Sequence, residues 1–246
     1  MIIELFGPAG SGKTTFAHAL AHHLQARGYA AKVVLSYRPG VDPSPLDPGG
    51  FWYAFQRIGR ATIRTAAFAN RPMNNANGFR LTARLIRILT PRNPIWLMRF
   101  SQYILHLSVA WRRSHGTGQI VIFDQGFIQA VCSLGLFCRT ANRSSLEAAL
   151  ALIPRSDIAI NVDAAEPLLS ERLRDRLSRQ RYMERMFEAD SNTNLQSTPI
   201  INLVKSLLLS KGRSVVTVET SDEPSLQESL FRVETEICEM CSRMAR

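Results

Sequence analysis

Apolar residues in this chain gather in short continuous runs that alternate with longer stretches of helical spacing. "MIIELF", "AAKVVLSY" (ending at Arg38), "QIVIFDQG", "SDIAINVDA" and "SVVTVETS" are rich in Val and Ile and bounded by Gly, Asp or Ser, so they predict five strands. Phe16, Leu20 and Leu24 recur at helical spacing until Gly28 stops the first helix. Further helical patterns cover 50–114, broken near "NRPMNNANG" and "TPRNP", then run from the third strand to 152. Others cover 165–190, 199–211 and 223–243, with "SNTNLQSTP" as a break. "RPGVDPSPLDPGG" is too rich in proline for regular structure. Strands alternating with helices predict an α/β chain with a doubly wound, parallel five-stranded sheet. Residues 1–246 read as one domain carrying a helical insertion at 39–114 and a helical segment at 165–190. Such sheets bind ligands at the carboxyl ends of their strands. The chemistry is therefore expected at 7–14, 36–42, 124–129, 163–165 and 219–222.

One helical stretch, "PIWLMRFSQYILHLSVAWRR", is apolar enough to raise the question of a membrane. Arg99, Gln102 and His106 interrupt it within the length needed to cross a bilayer, so no transmembrane segment is predicted. Trp96, Phe100, Tyr103, Leu107 and Trp111 recur at helical spacing and predict a buried helix, with His106 as a core or boundary residue. Peripheral membrane contact through Trp96, Trp111 and the flanking arginines is the less favoured reading. Four unevenly spaced cysteines form no disulfide framework, and Cys238 and Cys241 share one face of the last helical pattern, which points to packing. No signal peptide precedes the first strand, so a cytoplasmic location with reduced thiols is expected. The net charge is +10, and only Lys13, Lys32, Lys205 and Lys211 among the 30 basic residues are lysines. Arginine suits bidentate phosphate contacts, although GC-rich codon usage would raise its count as well.

The strongest chemical signal is "GPAGSGKTT" directly after the first strand. Gly7, Pro8, Ala9, Gly10, Ser11, Gly12, Lys13, Thr14 and Thr15 match a phosphate-binding loop in full. Glycines let consecutive N–H groups converge where a Cβ would obstruct them. Lys13 supplies a point charge for the β/γ oxygens, the Thr14 hydroxyl can enter a Mg²⁺ shell, and the helix that follows adds its dipole. ATP and Mg²⁺ are the expected ligands. A second signal is Asp124 at the end of "IVIFD", where its carboxylate can serve the metal or orient an acceptor hydroxyl as base. A third is "SERLRDRLSRQRYMERM", where arginines 172, 174, 176, 179, 181 and 185 suit a cationic lid closing over a transferring phosphoryl group. Glu171, Asp175 and Glu184 would instead pair with such arginines on a solvated helix.

With "GPAGSGKTT", "FDQG", "VDAAEPLLSERLRDR" and "VETSDEP" in view, the chain resembles P-loop kinases of the nucleoside-monophosphate kinase type, most of all thymidylate-kinase-like proteins. The resemblance covers about half the chain. In that group E-R-x-x-x-R opens the lid, which here is Glu171, Arg172 and Arg176. It implies that Arg172 lies beside the adenine, that Arg176 reaches the transferred phosphoryl group, and that Thr220, Ser221 and the residues up to Glu223 border the adenine through their backbone. On this reading Lys13, Asp124, Arg172 and Arg176 are the catalytic set, and Thr14 and Asp124 the metal set. Thymidylate kinases carry Asp-Arg-Tyr or Asp-Arg-Phe where this chain has Asp124-Gln125-Gly126, so an acceptor-side arginine is missing. "SYRPG" also lacks the acid of their Arg-Glu-Pro-Gly.

Two arginine stripes mark the insertion at helical spacing: Arg57, Arg60, Arg64 and Arg71, then Arg80, Arg84 and Arg87. They fit an anionic acceptor, docking on a larger polyanion, or a solvated face. The leading expectation is an ATP-dependent phosphotransferase acting on a small-molecule phosphate acceptor: a nucleotide, a nucleoside or another anionic or hydroxylated metabolite. The alternative is a P-loop NTPase switch or motor on nucleic acid or a membrane surface, which the net charge favours. No Asn-Lys-x-Asp guanine motif occurs and no acid pair ends the third strand, which count against a GTPase and a multimeric motor. A binding module that has lost transfer is the third reading.

Overall fold

The computed structural model describes residues 1–35, 72–179 and 197–244. The proline-rich stretch, the first arginine stripe, and Arg181 and Arg185 lie outside the described residues. Five strands, β1 (Ile2–Phe6), β2 (Ala31–Val34), β3 (Ile120–Phe123), β4 (Ile158–Asp163) and β5 (Val215–Glu219), pair in parallel in the order β2-β3-β1-β4-β5. The doubly wound sheet expected from the sequence is thus the one observed. β1 is its middle strand and every residue of it is buried, as a strand covered on both faces requires. Alternation splits β1 between two cores. Ile2 and Phe6 face one side with Val121 and Phe123 of β3, while Ile3 and Leu5 face the other with Ile120 and Ile122.

The helices are α1 (Lys13–Ala26), α2 (Pro72–Ile88), α3 (Pro94–Ser114), α4 (Phe127–Phe137), α5 (Arg143–Leu152), α6 (Glu166–Arg179), α7 (Ser197–Ser210) and α8 (Glu223–Met244). Phe16, Leu20 and Leu24 of α1 pack with Leu230, Val233 and Ile237 of α8 on one face of the sheet. The other face carries α2, α3, α4, α5 and α7. β1 and β3 are neighbours, yet α1 follows β1 on one face and α4 follows β3 on the other. The carboxyl ends of these two strands therefore open a crevice at a topological switch point.

Of the stretch "NRPMNNANG", where a break is expected, residues 70 and 71 lie outside the described residues, and α2 (Pro72–Ile88) runs on through Asn74–Asn77. Gly78, which reads as a breaker in sequence, lies against α3: a Cβ there would sit 3.2 Å from Ser108 Cβ. Close helix packing, not a turn, explains that glycine. The turn at "TPRNP" is present, with Asn93 Oδ1 accepting the Ile95 N–H at 2.9 Å to cap α3. Phe100, Leu107 and Trp111 of α3 are buried, and Trp96 and Tyr103 are packed against them at the rim of the core. His106 is half-buried. Trp111 lies 5.0 Å from Phe123 and 5.2 Å from Phe127, so α3 is seated directly on the strand and helix that flank Asp124.

Candidate active site

The loop Gly7–Gly12 leaves β1 at the switch point and delivers the chain into α1 at Lys13. Gly12 has φ +83, and a Cβ on it would meet Thr220 Oγ1 at 3.0 Å, so only glycine takes this bend against the β5 side. No side chain caps α1 and no acid occupies its first turn. The positive end of its dipole therefore has no acidic side chain of its own first turn against it. Lys13 is 7% exposed. Its ammonium is curled into the loop, donating to Gly7 O at 3.0 Å, Pro8 O at 2.6 Å and Ser11 Oγ at 3.5 Å. A full charge is thus held inside the loop by two of its carbonyls and a hydroxyl.

Thr14 sits one residue into α1 and reaches across the crevice. Its hydroxyl donates to Asp124 Oδ2 at 3.0 Å. Asp124 is 2% exposed, and its own N–H donates to Val34 O, so β2 and β3 hold the turn together. Arg172 of α6 is half-buried and bridges two loops, donating to Gly10 O at 3.4 Å and Thr220 O at 3.0 Å. Thr220 Oγ1 in turn donates to Ser11 O at 2.7 Å. The end of β5 and the start of α6 are therefore laced to the loop after β1. Thr15, Ser221 and Arg174 are exposed. Arg176 is one turn beyond Arg172 on α6, and its side chain lies outside the described residues, as does the 180–190 part of the expected lid.

Three further residues complete the arrangement: Gln129, inside the expected segment 124–129, and Glu4 and Tyr103, which the sequence did not single out for the site. Gln129 of α4 accepts the Gly7 N–H on its Oε1 at 2.9 Å, fixing the first turn of the loop from the opposite face of the sheet. Glu4, fully buried in β1, accepts the Ile128 N–H at 3.0 Å and the Ser156 hydroxyl at 2.8 Å. It does the work of a cap for α4, whose N-cap residue Gly126 has no side chain to offer. A Cβ at Gly126 would collide with the Glu4 carboxylate. Burial pushes the Glu4 carboxyl above its usual range, against the lowering by its hydrogen bonds and by Arg213. Tyr103 of α3 donates to Gln125 O at 3.1 Å and Gly126 O at 3.4 Å, pinning the Asp124–Gly126 turn from above. Burial, followed by the nearby Asp124 charge, raises its phenol and keeps it a donor. Burial also pushes the Cys132 thiol up to about 12, with Lys13 opposing, so this cysteine stays protonated.

Thr14 and Asp124 present two hard oxygens at one point. No cluster of three or more His, Cys, Asp or Glu exists among the described residues, so a cation held by protein alone does not fit. Mg²⁺, which commonly takes one carboxylate and draws its other ligands from phosphate and water, does fit. Among the described residues no helix is long and apolar enough to cross a membrane.

No protein-family model matches the chain and no curated protein matches it. Among solved structures, it is similar to deoxyadenosine kinase from M. mycoides with the products dCMP and a flexible dCDP bound. That match has a TM-score of 0.49 at 11% identity and covers 98% of this chain and 100% of that one. A second structure of the same enzyme, with dATP bound, matches with a TM-score of 0.49 at 10% identity over 96% and 99% of the two chains. At such identity neither neighbour assigns a substrate to this chain.

Proposed function

We propose that this chain is a P-loop kinase: an ATP-dependent phosphotransferase that moves the γ-phosphoryl group to a small anionic or hydroxylated acceptor, a nucleotide or nucleoside foremost. One observation carries the reading. The Thr14 hydroxyl and the Asp124 carboxylate meet at 3.0 Å beside a buried Lys13, so the loop after β1 and the acid after β3 form one site. A glycine turn of purely structural purpose would need neither the enclosed ammonium nor the acid aimed at the helix start.

In this reading the triphosphate lies along the loop Gly7–Thr15, with Lys13 against its β/γ oxygens. Thr14 and Asp124 would hold Mg²⁺, which when bound neutralises charge on those oxygens. The hydrogen bond from Thr14 favours Asp124 as metal partner over base. Arg172, spanning Gly10 O and Thr220 O, fixes the border of the purine pocket at Thr220 and Ser221. Arg176 would meet the transferring group from the lid. The acceptor enters under α2 and α3, and Tyr103 keeps the Asp124 turn in place as it does so. Catalysis then rests on positioning and on preorganised charge, where removing a single donor costs about 10²–10³-fold in turnover.

The test is transfer of labelled phosphate from ATP to a panel of nucleosides, nucleoside monophosphates and other hydroxylated metabolites. Labelled product above the rate of hydrolysis is the expected result. ATP hydrolysis that quickens only on adding DNA or RNA, with no acceptor labelled, would replace this reading with an NTPase acting on nucleic acid.

A further inference from the structure

The positive charge of this chain is not evenly spread. Residues 48–123 hold eleven arginines and no acidic residue, leaving 19 basic against 20 acidic residues over the rest of the chain. The whole net charge of +10 therefore belongs to one segment. Its described part is the hairpin of α2 and α3, whose turn leans on the far end of α4. Arg92 donates its N–H to Phe137 O at 2.9 Å and its Nε to Cys138 O at 3.0 Å, while the Arg139 N–H donates to Thr90 O. The other end of α4, about 16 Å away along its axis, is the one that faces the phosphate loop. The turn is thus remote from the candidate active site.

At this turn three large aliphatic side chains point outward within one helical turn: Ile95 is 50% exposed, Leu97 38% and Met98 37%. The aromatic residue among them behaves differently. Trp96 is drawn inward, its ring 4.1 Å from that of Phe137, with the Arg99 guanidinium 4.7 Å over it. Arg87, Arg92 and Arg139 are exposed around the same turn, and no ion pair among the described residues engages them.

We infer that this hairpin turn docks on an anionic membrane surface, with Ile95, Leu97 and Met98 entering the acyl boundary and the arginines meeting lipid phosphates. Cation plus projecting aliphatic is the combination such a surface rewards. A nucleic acid would use the arginines but has no place for three aliphatic chains, and the rings that could stack on its bases are packed inward. A second copy of the chain would set one arginine cluster against another, which like charge opposes. Three aliphatic chains make this a weak, reversible attachment that salt releases. The inference concerns attachment alone and holds whatever reaction the site after β1 performs.

Sedimentation of the full chain with large vesicles tests it, using phosphatidylcholine alone or with about 30% phosphatidylserine. The protein is expected to pellet with the anionic vesicles only, and to be released by about 0.5 M salt. Ile95→Ser combined with Leu97→Ser and Met98→Ser should lower the bound fraction about tenfold, and Arg87→Gln with Arg139→Gln should do the same while leaving the aliphatic patch intact. Failure to pellet with anionic vesicles overturns the inference. So does undiminished binding by either variant, or binding to a DNA oligonucleotide without binding to vesicles. A dimer that forms without lipid and is dissolved by the triple variant would assign the patch to self-association instead.

Discussion

The glycine-rich loop after β1 and the arginine-bearing hairpin handle positive charge in opposite ways. Lys13 is enclosed, with its ammonium tied to two loop carbonyls and a hydroxyl, in a crevice where Asp124 is equally buried. Arg80, Arg84 and Arg87 stand exposed along α2. An enclosed charge acts at full strength on one point and cannot be replaced by a neighbour. An open charge is screened by salt and shares its work with others of its sign. One region should therefore be intolerant of single substitutions and indifferent to salt, and the other the reverse.

Lys13→Ala gives the sharpest test, with turnover expected to fall by about 10²–10³-fold or more at any ionic strength. Retained turnover would erase the distinction between the two regions. Asp124→Asn should lower turnover by about a hundredfold while the ATP dissociation constant, read by calorimetry, stays within a few-fold. Equal loss of binding and turnover would place Asp124 outside the transfer step. Arg172→Ala, which removes two bonds to backbone carbonyls, is expected to weaken nucleotide binding about tenfold. An unchanged dissociation constant would show that the lacing of α6 to the loop is incidental.

Glu4→Gln has a smaller effect whose sign depends on pH. With the folded-state carboxyl raised above its ordinary 4.5, the native chain binds the extra proton between the two values. The Glu4 contribution to stability is therefore complete below the ordinary value and is lost as pH rises through the raised one. Glu4→Gln should abolish that decline, so its denaturation midpoint gains on the parent as pH climbs through this window. A constant offset would mean that Glu4 stays charged on folding. Smallest of all, Arg84→Gln should change stability by no more than about 0.5 kcal/mol in a denaturant titration. A larger loss would show that the α2 stripe is packed against something.

The difference also explains what could be read in the chain itself. The loop is legible because its geometry is local: glycines, Lys13 and Thr14 must stand at set spacings, and the strand before and helix after are short patterns of their own. Asp124 is legible for the same reason, at the end of an apolar run. Gln129 on Gly7 and Ile128 on Glu4 are contacts across more than a hundred residues, which periodicity does not encode. Glu4 did leave a trace as the lone acid inside "IIELF". Gly78 stands inside α2, and the reason for it lies in Ser108 of the next helix, which a pattern along one helix does not encode. Arg172 was expected near the purine, and its bonds to Gly10 and Thr220 depend on β1 and β5 ending on the same edge.

Gly126 and Glu4 carry a consequence for the history of this chain. The carboxylate fills the space that a side chain at 126 would need, and shortening residue 4 would leave the Ile128 amide without its acceptor. A side chain at 126, or a shorter one at 4, is not accommodated alone. Relatives with alanine or a larger residue at 126 should therefore carry a shorter residue at 4 and a new cap for the following helix, and a survey of sequences would find the two sites changing hands as a pair.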